Sequence, residues 1–312
     1  MNPVAGKGLG ERIVTWLRET LSREDLEHEI VLTRAKGEAT DIARRSDSDV
    51  VIAVGGDGTV NEIANGIIGS ERRLGIIPSG SGNDLIKSLG IPGNPKEAFE
   101  VLKNGTPRAI DIGVVQWTSQ EGGGARDRGA HHRCFVNGVG IGFDAAVAKR
   151  ANSIGHLSGT FLYLAALLLT LGEYHAPTFE IVSGNAYRNR GRQLLIAIGN
   201  GSCAGGGFYL TPQAKLDDQL LDMCAIDNMS LFGILRLIRP VLQARHVGSK
   251  GITYFQGRTF SVSAMEPFAL HADGEVLATD VRSVDVGIRD AALFVIAPLH
   301  GKIVSRKQPP IA

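Results

Sequence analysis

The chain is short of the features that would mark a secreted, membrane-spanning or nucleic-acid-binding protein. Its three cysteines, Cys134, Cys203 and Cys224, are isolated and odd in number. They form neither a disulfide framework nor a zinc-ligand spacing, so they read as small core residues of a protein kept in a reducing cytoplasm. Charge of either sign is scarce in excess, with 33 Lys and Arg against 32 Asp and Glu, a net of +1. A general nucleic-acid binder should show a basic surplus, so no nucleic-acid partner is expected. Long apolar runs are missing too. The longest, Phe161 to Leu171, stops at Gly172-Glu173, and roughly 11 residues fall short of the ~20 that span a bilayer. It reads as a buried core helix or as a wall for an apolar ligand. No apolar segment of the kind found in signal peptides follows Met1-Asn2-Pro3.

Glycine, by contrast, is abundant, with 40 residues in 312. That is nearly twice the usual ~7% and implies tight turns or close approaches of backbone to ligand. The first hundred residues alternate helix and strand signals. Helical spacing runs over Glu11–Leu21, Glu38–Arg45, Val60–Ile67 (closed by Gly66 or Gly69), Asn83–Leu89 and Pro95–Lys103. Strands are expected at Glu29–Thr33, Val50–Val54 and Leu74–Ile77, the second a continuous apolar run of the kind buried on both faces. This alternation predicts a parallel α/β sheet with ligands at the carboxyl ends of its strands. Beyond about Arg108 short strand signals separated by turns take over, as in an antiparallel sandwich, with helical interludes near 144–172 and 230–246. The polar, glycine-rich stretch Thr118–Arg133 reads as a hairpin loop that includes His131 and His132. The expected domains are residues 1–108, 109–290, and a terminal segment 291–312 that returns a strand to the first domain and ends in a basic tail.

Asn2-Pro3-Val4-Ala5-Gly6-Lys7-Gly8 looks like the turn that follows a first β-strand, yet no such strand precedes it. A truncated or misassigned start is the expected explanation.

Three glycine turns fall in the α/β half. They are Asn2–Gly10, Gly55-Gly56-Asp57-Gly58-Thr59 and Pro78-Ser79-Gly80-Ser81-Gly82-Asn83-Asp84. None is a P-loop and none reads G-x-G-x-x-G. Each lies at a strand-to-helix junction or its equivalent, where glycines admit phosphates and turn N–H groups and helix N-termini supply positive potential. Together they predict a polyphosphate site along one sheet edge.

At these residues the chain resembles the diacylglycerol kinase catalytic family, bacterial lipid kinases related to sphingosine and ceramide kinases. The matching motifs are Asn-Pro-x-Ala-Gly-x-Gly at 2–8, Gly-Gly-Asp-Gly-Thr-x-Asn-Glu at 55–62 and Pro-x-Gly-Ser-Gly-Asn-Asp at 78–84. Further on come Ile110-Asp111-Ile112-Gly113, Asn137-Gly138-x-Gly140-x-Gly142-x-Asp144 and Asp273-Gly274-Glu275. NAD kinases and phosphofructokinases share only the Gly-Gly-Asp-Gly turn. The resemblance implies an NAD kinase/phosphofructokinase-like α/β nucleotide-binding domain followed by an antiparallel β-sandwich, with ATP as phosphoryl donor and Mg2+ as cofactor. By motif position, ATP would contact Asn2, Pro3, Val4, Ala5, Gly6, Thr33, Gly55, Gly56, Asp57, Gly58, Thr59, Val60, Asn61, Glu62, Ser81, Asn83 and Asp84. Ser81 stands where the family commonly has Thr. Lys215-Leu216-Asp217-Asp218-Gln219-Leu220 resembles the family's magnesium turn, with the Asp218 carboxylate and the carbonyls of Lys215 and Leu220 as oxygen ligands suited to a hard cation. The family often has Gly at position 219. Without the family, Asp217-Asp218 is a hairpin turn.

Asp57 in a phosphate turn would repel the nucleotide, which suits it to a magnesium or water network; Asp84 also reads as a helix cap. Asp273-Gly274 is a hairpin signal, but by family position it carries the proton acceptor. In an extended segment Asp273 and Glu275 would share a face; Glu275 is taken as the base with Asp273 in support, and His271 as a bystander. The acceptor would be a lipid alcohol, most simply diacylglycerol, met at the inner face of the membrane without spanning it. Partners would be that lipid, the membrane surface and, left open, a second copy as a homodimer. Leu231–His246 joins apolar residues to Arg236, Arg239 and Arg245, a basic amphipathic pattern that suits either an anionic lipid surface or packing on the sandwich. A soluble acceptor such as NAD, or a catalytically silent nucleotide binder, are the alternatives.

Overall fold

The computed structural model describes residues 1, 9–24, 26–118, 131–153, 165–167, 169, 170 and 174–299. The motif Asn2–Gly6, most of the expected loop at 118–133, most of the apolar run 161–171 and the basic tail lie outside the described residues. The chain divides into two compact units, Met1–Ala109 with Leu293–Ala312, and Ile110–Ala292.

In the first unit helices and parallel strands alternate. α1 (Leu9–Arg23) and α2 (Glu38–Arg45) precede β1 (Val50–Gly55), α3 (Asp57–Ile67), β2 (Arg73–Pro78), α4 (Asp84–Leu89) and α5 (Pro95–Asn104). β1 and β2 pair in parallel from Val50↔Arg73 to Gly55↔Pro78. The end of β11 (Glu275–Ala297) lies parallel to β2 on its other side, through Phe294↔Arg73 and Val295↔Leu74. Ile13 and Leu17 of α1 and Phe99 of α5 pack with Val54 and Ile77, so the periodic apolar stripe of each helix is buried on the sheet. α2 lies close along α3, where a Cβ on Gly66 would come within 2.6 Å of the Thr40 carbonyl. Gly66 therefore sits inside α3, and Gly69, at φ +78°, follows its end.

The expected strand at Glu29–Thr33 does not form. A strand needs a ladder, and the described backbone bonds there are Met1 N to the Val31 carbonyl and Thr33 N–H to the Met1 carbonyl.

The second unit is an antiparallel β-sandwich. Its strands are β3 (Thr106–Thr118, beginning in the first unit), β4 (His131–Phe135), β5 (Gly138–Gly142), β6 (Thr178–Ser183), β7 (Tyr187–Gly199), β8 (Leu221–Asp227), β9 (Ile252–Gly257), β10 (Thr259–Ala272) and most of β11. β5, β7, β8 and β9 pair in that order. β10 pairs β11 along its length, β6 near its start and β5 near its end. Alternate side chains from β3 to β11, including Phe135, Phe179, Ile196, Met223, Phe260 and Val284, form one core. The opposite faces of β7 and β8 are apolar too: Leu195, Ala197, Cys224 and Ile226 meet Phe143 and Val147 of α6 (Phe143–Ser153) and Ile234 and Val241 of α7 (Leu231–Leu242). Burial on both faces accounts for the unbroken apolar run Leu194–Ile198. His131 and His132 are not loop residues; they open β4 opposite Trp117 and Gln116, and His131 stacks on Trp117. Cys203 and Cys224 are buried, and burial pushes the Cys224 thiol up to about 12.

Candidate active site

The two described glycine turns leave the carboxyl ends of neighbouring parallel strands. The Ser79 N–H donates to the Gly55 carbonyl at 2.8 Å, and the turns touch through glycine: a Cβ on Gly80 would lie 2.4 Å from Gly56 Cα. Such an approach is open only to residues without a side chain. α3 starts at Asp57 directly after Gly56, with its first N–H groups at the mouth of the turn. The Asp57 carboxylate accepts the Asp84 N–H at 2.6 Å. The cap of α4 thus comes from Asp57, while Asp84 pairs instead with Lys87 Nζ at 2.6 Å. Asn83 is held at φ +49° and its amide donates to the Gly80 carbonyl, leaving Ser81 exposed at the tip.

Several of the remaining described candidates in this unit make structural contacts. Glu62 accepts the Gly37 and Ala39 N–H groups at the start of α2. Thr59, Val60 and Asn61 are buried in α3, and Gly55 lies over the Thr59 side chain, with Gly58 exposed beside it. The Thr33 hydroxyl donates to the Met1 carbonyl.

In the second unit Asp273 and Gly274 form a two-residue turn, at φ +47° and +80°, between Ala272 and its cross-strand partner Glu275. The segment is a tight hairpin, so the two carboxylates do not share a strand face. Asp273 turns inward: Oδ2 accepts the Val136 N–H at 2.8 Å, and Oδ1 accepts those of Asn137 and Gly138 at 2.9 Å. Its own N–H donates to the Gly138 carbonyl. His271 is buried, and its Nδ1 accepts the Gly274 N–H at 3.4 Å. Glu275 is one-third exposed and pairs with Arg133 at 3.2 Å. Of the two carboxylates, Asp273 is committed to backbone N–H groups and Glu275 to the Arg133 guanidinium.

The 215–220 turn is held by Asp111, a buried residue whose role sequence reasoning missed. Asp111 Oδ2 accepts the Gln219 N–H at 2.7 Å, Oδ1 accepts the Ala291 N–H at 2.8 Å, and its own N–H donates to the Leu216 carbonyl. Its carbonyl accepts the Asn200 amide. An aspartate among the apolar residues of Ile110-Asp111-Ile112 was the available signal. Gln219 stands at φ +63°, the left-handed region that favours glycine. The Asp218 Oδ1 accepts the Leu220 N–H at 3.1 Å. Nearby, Asp222 is fully buried and accepts from Tyr254 and Gln256; burial pushes its carboxyl up and the two donors oppose that shift. Among the described residues no cluster of three His, Cys, Asp or Glu side chains gathers as a metal site. The set implied at this turn offers one carboxylate and two carbonyls, which fits a hard, oxygen-seeking cation.

Between α6, α7 and the outer face of β7 and β8 lies a cleft of about 680 Å³, counted out to solvent. Every described residue lining it is apolar or glycine, among them Phe143, Val147, Leu167, Phe208, Ile234 and Val241. Leu167 belongs to the apolar run singled out in the sequence; the rest come from distant segments.

Residues 1–115 match the model of the diacylglycerol kinase catalytic domain, and residues 137–297 match that of the YegS C-terminal NAD kinase beta sandwich-like domain. The chain belongs to the diacylglycerol kinase catalytic family. Family membership makes it a phosphotransferase of a lipid kinase group. It is 29% identical to a diacylglycerol kinase of Mycobacterium tuberculosis over 255 residues, 81% of this chain and 78% of that one. It is 27% identical to the Bacillus subtilis diacylglycerol kinase over 282 residues, 88% of each. A crystal structure of a diacylglycerol kinase from Bacillus anthracis superposes with a TM-score of 0.65 at 21% identity, covering 95% of this chain and 94% of that one. A second structure from that organism reaches 0.73 at 22%, over 95% of each. These neighbours share the fold expected from the sequence, an α/β domain followed by a sandwich.

Proposed function

We propose that this family member transfers the γ-phosphoryl group of ATP to the hydroxyl of diacylglycerol. The observation that carries the lipid acceptor is the cleft against β7 and β8, whose described lining is apolar or glycine throughout; it suits an acyl chain, and its described side chains offer a nicotinamide nucleotide no polar partner. In this proposal the turns at 55–62 and 78–84, with Asn2–Gly6, Thr33 and the exposed Ser81 hydroxyl, hold the nucleotide phosphates. The carboxylate of Asp218 and the carbonyls of Lys215 and Leu220 hold Mg2+, on a turn that Asp111 keeps in shape. When bound, the cation neutralises phosphate charge as the phosphoryl group moves. Glu275 accepts the proton of the lipid hydroxyl as its oxygen attacks phosphorus and the bond to the ADP leaving oxygen breaks. Asp273 is a positioning residue that ties the Glu275 turn to the start of β5. Work at an inner membrane face follows from such a substrate, and no described helix is long and apolar enough to cross a membrane.

The test is transfer of labelled γ-phosphate from MgATP to diacylglycerol, phosphatidylglycerol, a sphingoid base and NAD. Label in phosphatidic acid, with Ala204→Phe in the cleft lowering turnover of long-chain diacylglycerol about tenfold and sparing a short-chain one, is expected. Label on NAD alone would overturn the proposal.

A further inference from the structure

α7 has two faces. At about 100° per residue, Ile234, Leu237, Ile238 and Val241, all lining the cleft, fall within one arc of about 100°. Leu231, Leu235, Arg239, Phe232 and Arg236 fall in a second arc of about 140° that begins about 20° beyond Ile238. That outer arc is uncovered: Phe232 is 75% exposed, Leu231 57% and Leu235 43%, and both arginines are exposed. Large apolar side chains grouped on one exposed arc call for a partner. A helix needed only to wall the cleft would carry polar residues there.

The charges that α7 itself carries are of one sign. Between Asp227 and Glu266 the chain has no acidic residue, and it carries Arg236, Arg239, Arg245, Lys250 and Arg258, the last paired with Asp290. The start of α7 is also tied to a second basic element, because the Asn228 N–H donates to the Arg192 carbonyl at 2.9 Å. Arg188, Arg190 and Arg192 alternate along β7 and all are exposed, with Arg188 paired to Glu180. In a chain of net charge +1 this is a local surplus. Leu169, two residues beyond the cleft-lining Leu167, is 56% exposed. Apolar side chains interleaved with arginines match a layer that is apolar below and anionic above.

We infer that the outer face of α7, with Leu231, Phe232 and Leu235 inserted and Arg236 and Arg239 at headgroup level, is the surface by which this chain lies on an anionic lipid bilayer. The inference rests on the lipid-kinase reading for its purpose, since it sets the helix that walls the acyl-chain cleft against the bilayer that supplies the lipid. A protein partner would have to match arginines that no acid within α7 offsets; phosphodiester headgroups do so at any point.

The test is co-sedimentation of the full chain, without nucleotide or diacylglycerol, with vesicles of phosphatidylcholine and phosphatidylglycerol at 3:1 and with pure phosphatidylcholine. Binding to the anionic vesicles that weakens with salt is expected. Phe232→Asp should lower it about tenfold, and Arg236→Gln with Arg239→Gln about 25-fold. All variants should keep wild-type melting temperature and turnover of monomeric short-chain diacylglycerol. Failure of the wild type to bind anionic vesicles, or binding untouched by these substitutions, would overturn the inference. So would loss of a dimer in Phe232→Asp by sedimentation velocity without vesicle binding in the wild type, which would assign the face to a second copy. Vesicle binding without phosphorylation of any lipid would leave the docking face standing and sink the kinase reading instead.

Discussion

Replacing Asp273 and Glu275 separately should produce two different failures. Asp273 accepts three backbone N–H groups, from Val136, Asn137 and Gly138, at 2.8–2.9 Å, and Val136 and Asn137 are buried. Asp273→Ala would leave these donors without an acceptor, at about 1–3 kcal/mol for each buried one, or roughly 4 kcal/mol in all. For a domain of this size that corresponds to a melting temperature lower by roughly 10 °C. Asp273→Asn keeps the volume and one carbonyl oxygen but turns an amide against a donor, so about half that loss is expected. Glu275 is one-third exposed and its pair with Arg133 is long at 3.2 Å. Glu275→Gln should therefore cost no more than about 1 kcal/mol while lowering kcat by about 10²–10⁴. Calorimetry beside steady-state kinetics on the same preparations separates the two. An Asp273→Asn protein that melts like the wild type yet has lost as much kcat as Glu275→Gln would refute the assignment and make Asp273 the base.

Two further outcomes follow from the geometry. Gly80→Ala would drive a methyl group to 2.4 Å from Gly56 Cα, backbone that cannot swing aside, so it should cost about 1–3 kcal/mol and weaken ATP binding by calorimetric titration; unchanged ATP affinity would show that the two turns do not jointly hold the phosphates. His246 is fully buried, with Nε2 donating to the Leu210 carbonyl and Nδ1 without a partner, and burial lowers its pKa from 6.5 against the opposing pull of that carbonyl. The unfolded chain then binds the proton first, so stability is full above pH 6.5 and falls, by up to about 1.4 kcal/mol per pH unit, as pH drops through 6.5 towards the folded value. His246→Gln keeps a donor for Leu210 and should flatten that part of the urea midpoint profile; an unchanged slope would place the titration elsewhere.

Local patterns in the sequence determined the elements that depend on neighbours in the chain. The stripe Ile13, Leu17, Leu21 made α1, the run Val50–Val54 made β1, and Asp273-Gly274 made a two-residue hairpin, because helix periodicity, double burial and left-handed turn residues are properties of a few adjacent positions. The two described glycine turns were legible for the same reason, each being a glycine cluster between one strand and one helix. Tertiary structure decided everything that joins distant segments. Two carboxylates in Asp273-Gly274-Glu275 look alike until the N–H groups of 136–138 arrive to fill one of them. Asp111 is an unremarked aspartate until residues 216, 219 and 291 close around it. Glu29–Thr33 has the composition of a strand but formed no ladder in the described structure, since pairing belongs to two segments and not to one. The apolar cleft and the outward face of α7 were likewise beyond a linear reading: periodicity says that a helix is amphipathic, and only packing decides which of its apolar residues are covered.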